Sequence, residues 1–120
     1  MCIRDSDSDD GAIVFNTSID GLDGTNDDLT IDSGTGTITL QVIGNNTALS
    51  SLNINTDANS TANITLPNIG GTNAAASGAV AVGNTATETL TLGGTVYNTD
   101  NTQTYTAKTG GVLNILPPFI

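Results

Sequence analysis

Ile38-Thr39-Leu40 returns as Ile64-Thr65-Leu66 and again as Leu90-Thr91-Leu92, and this recurrence points to one architecture above others. Ile13-Val14-Phe15 opens the series and Leu113-Asn114-Ile115 continues it, with first positions about 23 to 26 residues apart. Each member sets two apolar residues either side of a middle one, the period-two pattern of a strand with one buried face. A second series runs between them: Leu29-Thr30-Ile31, Leu52-Asn53-Ile54, Val80-Ala81-Val82 and the less regular Tyr105-Thr106-Ala107. Self-similarity at this period marks a structural unit stacked on copies of itself.

A short apolar stop beside glycine follows most first-series strands: Ile19 before Gly21, Ile43 before Gly44, Ile69 before Gly70 and Gly71. In the fourth unit Gly93-Gly94 precede Val96 instead. Three short strands per unit describe a coil, so the expected fold is all-β: a right-handed parallel β-solenoid of four to five coils, each of about 25 residues. Ile13, Ile38, Ile64, Leu90 and Leu113 then form one inward ladder, and Phe15, Leu40, Leu66, Leu92 and Ile115 the next. The segments Leu22–Asp28 and Thr72–Ser77 vary in length and composition and are expected to project as loops. The alternative is an antiparallel immunoglobulin-like β-sandwich, which accommodates the same strand spacing and turns. It offers no reason for one tripeptide pattern to recur at a nearly fixed period, and the chain has no Trp to serve as its buried core residue.

Composition agrees with strands. The 120 residues include 21 Thr, 14 Asn and 14 Gly, with 12% charged and 3% aromatic residues. Thr, Val and Ile favour pleated, half-buried surfaces. Twelve acids against Arg4 and Lys108 give a net charge of −10. Nucleic-acid binding needs clustered Lys and Arg, and anionic membranes repel such a chain, so neither partner is expected. No apolar run reaches the ~20 residues that span a bilayer. Met1-Cys2-Ile3-Arg4-Asp5-Ser6 resembles a translated sequencing adapter, and removing it leaves the charge at −10. Residues 1–10 are accordingly expected to be an acidic, disordered and partly artefactual leader, 11–116 one solenoid segment, and 117–120 a truncated tail. Open solenoid ends invite strand pairing, so the chain by itself is expected to be marginally stable or to self-associate.

Candidate chemistry is sparse. Histidine is absent, Glu88 is the one glutamate and Cys2 the one cysteine. Ser-His-Asp and Cys-His catalysis and His/Cys zinc sites are thereby ruled out, and no enzymatic activity is expected. Asp20, Asp23, Asp27 and Asp28 share a glycine-containing loop with Asn26 and are the candidate Ca²⁺ ligands, since Ca²⁺ takes six to eight oxygen donors. Asp and Gly are also ordinary turn formers, and the loop matches no calcium motif. Asp5-Ser6-Asp7-Ser8-Asp9-Asp10-Gly11 departs from an EF-hand: its glycine comes one place late, and Asn16 stands where the bidentate Glu belongs. Thr37-x-Thr39, Asn63-x-Thr65 and Thr89-x-Thr91 recur on one outward face, an arrangement that resembles the Thr-x-Thr arrays of ice-binding β-solenoids.

Longer segments carry a family likeness. Gly11-Ala12-Ile13-Val14-Phe15 with Ile19-Asp20-Gly21, Leu29 through Leu40, Leu92-Gly93-Gly94-Thr95-Val96-Tyr97-Asn98 and Gln103-Thr104-Tyr105-Thr106-Ala107 resemble filamentous-haemagglutinin-like large exoproteins and autotransporter passengers. The resemblance covers residues 11 to about 115. It implies a secreted or bacterial cell-surface β-solenoid stalk. Its parent would be an adhesin that meets a host-cell or matrix surface, with neighbouring coils of the same chain as its immediate contacts. The alternative function is a Ca²⁺-binding or ice-binding solenoid module.

Overall fold

β-Branched and Thr residues at alternate positions, broken every few residues by Gly, Asn or Asp, allow strands only a few residues long. The computed structural model describes residues 6–7, 11–22, 27–71 and 79–116. In chain order its strands are β1 (Ser6–Asp7), β2 (Ile13–Val14), β3 (Asp28–Asp32), β4 (Ile38–Thr39), β5 (Ser51–Ile54), β6 (Ile64–Leu66), β7 (Val80–Val82), β8 (Thr89–Leu92), β9 (Gln103–Tyr105) and β10 (Val112–Ile115). No helix occurs among the described residues.

All the strand pairings among the described residues are parallel, and none joins strands adjacent in sequence. One five-stranded sheet runs β1-β3-β5-β7-β9. A second face is divided into β2-β4 and β6-β8-β10. The third column is reduced to single bridges, Ile19 to Ile43 to Ile69 to Tyr97. Strand skipping of this kind is the topology of a parallel β-solenoid, here of about four turns. The sandwich is excluded, because its sheets would be antiparallel. Coil length is not constant. The register advances from Ile31 to Ile54, then to Val82, then to Tyr105, and the step from Ile54 to Val82 is longer than the one on either side of it.

The inward ladders meet expectation at most rungs. Ile13 pairs with Ile38, and Ile64 pairs with Leu90, which pairs with Leu113. Leu29, Ile31, Leu52, Ile54, Ile64, Leu66 and Leu90 are wholly buried in one continuous core. One rung differs. Tyr105 was expected in line with Leu29, Leu52 and Val80, but Gln103 takes that place and Tyr105 lies beside Val82. The polar Gln103 conceals the alternation, and the Tyr105 hydroxyl donates to its Oε1 at 2.7 Å. Likewise Tyr97, not Val96, closes the bridge column. The two tyrosines then meet edge to face, ring centroids 6.4 Å apart, a favourable aromatic geometry.

Between β4 and β6 the ladder lapses, and Pro67 stands at the end of the gap, where it removes one of the bonds that would cross it. One coil on, the Gly93 N–H donates to the Leu66 carbonyl at 3.0 Å, and the Leu116 N–H donates to Leu92 at 3.2 Å. The equivalent donor toward Leu40 would be residue 67, and proline has no N–H. Coils two and three remain joined on either side, at Gly34 with Thr61 and at Ile43 with Asn68.

A buried polar column lines the corner after the five-stranded sheet. Ser33 N–H donates to Asn55 Oδ1 at 2.9 Å, and Asn55 Nδ2 returns a bond to Ser33 Oγ at 3.1 Å. Asn84 Nδ2 donates to the carbonyls of Asn55 at 2.7 Å and Ser60 at 2.8 Å. Asn55 turns this corner at φ 47°, a conformation asparagine tolerates better than most residues. Gly83 turns it one coil later at φ 77°, where a Cβ would collide with the Thr106 carbonyl. Among the described residues no buried side-chain polar atom lacks a partner.

Asn84→Ala strips two buried carbonyls of their donor, so it is expected to cost about 1–3 kcal/mol, read as a lower urea midpoint. An unchanged midpoint would mean that water replaces the amide freely.

Candidate functional site

Two regions carry the polar groups on which the sequence places function: the outward face of β4, β6 and β8, and the acidic corner that precedes β3. Alternation sends the middle residue of each first-series strand outward. Val14 pairs with Thr39, and Thr65 pairs with Thr91, which pairs with Asn114. Thr37, Thr39, Asn63 and Thr65 are exposed, and Thr89 and Thr91 half-exposed. Cross-strand bonds tie the rows together. Asn63 Oδ1 accepts from the Thr89 N–H at 3.1 Å, and Asn114 Nδ2 donates to Thr91 Oγ1 at 3.3 Å.

The lapse beside Pro67 opens a cleft of about 380 Å³ in this face, lined by Ile38, Thr39, Leu40, Thr65, Leu66, Pro67 and Gly93. Its walls combine aliphatic carbon, threonine hydroxyls and backbone. None of these seven residues has an ionisable side chain, so they provide a wettable, uncharged surface with no acid or base to transfer a proton.

At the acidic corner the described candidate ligands Asp20, Asp27 and Asp28 each accept hydrogen bonds. Asp20 Oδ1 accepts from the N–H groups of Asn46 at 2.8 Å and Thr47 at 3.4 Å, and its Oδ2 from Asn46 Nδ2 at 3.1 Å. Asp27 is buried; its Oδ2 accepts from the Leu22 N–H at 2.7 Å, and its own N–H donates to Ser50 Oγ. Asp28 Oδ1 accepts the Ser51 hydroxyl at 2.6 Å. Asp23 lies outside the described residues, as does the expected loop 72–77. Among the described residues no three acids gather as metal ligands would. Asp20 and Asp28 bond to the next coil, and the Asp27 carboxylate accepts from Leu22 within its own loop.

Asp32 escaped the sequence reading, and so did the buried Ser33-Asn55-Asn84 column. Asp32 Oδ1 accepts from the Gly34 N–H at 3.0 Å and from the Ser60 hydroxyl. A signal for the column was present, since a Ser or Asn stands within two residues of the end of each of the first three second-series strands: Ser33 after Ile31, Asn55 after Ile54, and Asn84 after Val82.

The chain matches no protein-family model, no curated protein and no solved structure.

Partial burial raises the Asp20 pKa, but the donors of Asn46, Thr47 and Asn45 outweigh it and hold the carboxyl below its ordinary value of 3.8. A folded-state pKa below the unfolded one adds stability above that ordinary value, and the gain is lost as pH falls through the lower, folded value. Asp20→Asn is therefore expected to lower the urea midpoint at neutral pH, by less than about 1 kcal/mol at so exposed a site. It should also flatten the stability profile below about pH 4. Parallel acid profiles for the two proteins would remove Asp20 from this role.

Proposed function

We propose that this chain is a structural spacer: a stalk segment of a secreted or cell-surface bacterial exoprotein, with adhesion to a host-cell or matrix surface belonging to the parent molecule. The observation that carries the reading is the unbroken stack of parallel rungs in the five-stranded sheet, from Ser6 through Ile31, Ile54 and Val82 to Tyr105. Each coil adds one strand spacing of about 4.8 Å along the axis and covers the coil before it. A run of such coils holds its ends apart without a large globular core. Thr- and Asn-rich outer rows and a net charge of −10 suit a surface that stays hydrated and repels its copies. The likeness of residues 11 to about 115 to large exoproteins points the same way.

Antibodies raised against the chain are expected to label intact, unpermeabilised cells of the organism that makes it, and external protease should remove the label. Labelling that appears only after permeabilisation would overturn an extracellular role.

The aligned rows of Asn63, Thr65, Thr89 and Thr91, with Thr37 and Thr39 across the cleft from them, favour a second reading, an ice-binding face. Regularly spaced hydroxyls and methyls on a stiff sheet can order a layer of water. Purified protein would then show thermal hysteresis that Thr65→Lys abolishes, since a long charged side chain interrupts the rows. Hysteresis equal to that of a buffer control ends this second reading and leaves the spacer intact.

A further inference from the structure

The cleft beside Pro67 holds backbone groups that the rest of the ladder consumes. The N–H groups of Ile13 and Phe15 donate to the carbonyls of Thr37 and Thr39 at 2.9 Å, so Thr37 and Thr39 turn their carbonyls toward the first coil. Alternation along a strand turns the N–H and C=O of Leu40 the other way, toward coil three. At the same level in later coils, Leu66 accepts from Gly93 and Leu92 from Leu116. Leu40 stands opposite Pro67, which has no N–H to offer. Among the described residues neither the N–H nor the C=O of Leu40 has a hydrogen-bond partner. Leu40 lines the cleft, so a donor and an acceptor lie side by side on one wall.

The remaining walls restrict what can meet that pair. Ile38, Leu66 and Pro67 supply aliphatic carbon, and Thr39 and Thr65 stand exposed at the rim. A volume of about 380 Å³ falls among small-ligand sites, which run from about 300 to 1,000 Å³. Bonds from Thr61 to Gly34 and from Ile43 to Asn68 join coils two and three at either end of the gap. An extended peptide therefore cannot run through it, whereas a single ring can enter from outside. An anion meets no cation in the lining and a chain of net charge −10. The complement is a small neutral ring with adjacent hydroxyls, each able to donate and accept, and with C–H groups for the aliphatic wall.

We propose that this cleft binds a neutral hexopyranose, the terminal ring of an uncharged glycan. One ring hydroxyl accepts from the Leu40 N–H and its neighbour donates to the Leu40 C=O. The ring C–H groups rest on Leu66 and Pro67, and further hydroxyls bond to Thr39 and Thr65. Few contacts in an open, uncharged site give an affinity on the order of millimolar. The proposal goes beyond the spacer reading and does not depend on it, since a chain without affinity for sugar can still be a spacer.

Titration of the isotope-labelled full chain with the methyl glycosides of glucose, galactose and mannose, followed by amide NMR shifts, tests it. At least one is expected to give saturating shifts confined to the amides around the cleft, Leu40 and Thr65 among them. The Leu40 amide proton should move downfield as its N–H gains an acceptor. Glucuronic acid at neutral pH should bind about fivefold more weakly or worse. Pro67→Ala supplies an N–H that competes for the Leu40 carbonyl, so it should weaken binding about fivefold or more. Thr39→Val keeps the side-chain shape without the hydroxyl and should weaken binding severalfold, while Thr91→Val, on the same face but outside the cleft, should change nothing. Shifts that never saturate, shifts centred elsewhere, equal affinity for glucuronic acid, or unchanged affinity in a folded Pro67→Ala protein overturns the proposal. If Pro67→Ala does not fold, unchanged affinity in Thr39→Val overturns it instead. Tighter binding of N-acetylalanine N-methylamide, a neutral peptide unit, would assign the cleft to peptides and overturn it as well.

Discussion

Parallel backbone pairing between one coil and the next governs the rest of this molecule. It fixes the separation of successive strands and the direction of their side chains together, so an inward residue can be covered from along the axis only by its counterpart one coil away. Ile64 beneath Leu90, and Leu29 beside Leu52, are buried because the ladder puts them there. Among the described residues none has a partner across an antiparallel second sheet, as it would in a sandwich. Stability is therefore shared between neighbouring coils and weakens wherever the stack stops.

Polar side chains obey the same rule. In a coil with three corners, backbone groups must turn inward where the strand ends, and each buried one needs a partner. Asn55 and Asn84 supply it by reaching up or down the axis. Asp20, Asp28 and Asp32 do the equivalent at the outer edge, each bonding to the next coil. An acidic, asparagine-rich composition that invites a metal-binding interpretation thus has a structural use. The carboxylate and amide oxygens terminate short strands whose N–H groups would otherwise go unpaired.

The second face is interrupted once among the described residues, where β4 and β6 are not laddered. A cleft lined by Thr39, Thr65 and Pro67 lies there, a small wettable recess in an otherwise regular stack.

Much of the fold was legible in the sequence because a stacked coil writes its period into the chain. Ile13, Ile38, Ile64 and Leu90 are buried as expected, since alternation and spacing alone specify which residues point in. The sequence could not place Tyr105 and Tyr97. At those rungs a glutamine or an extra loop residue replaces the aliphatic marker, and only pairing with Val82 and Ile69 identifies the position. The acidic corner was visible as a composition, but whether its carboxylates converge or disperse depends on where the next coil presents its donors. Periodicity is local and survives in a string of letters. Hydrogen bonds between one coil and another, and the lapse beside Pro67, exist only once the coils are laid on one another.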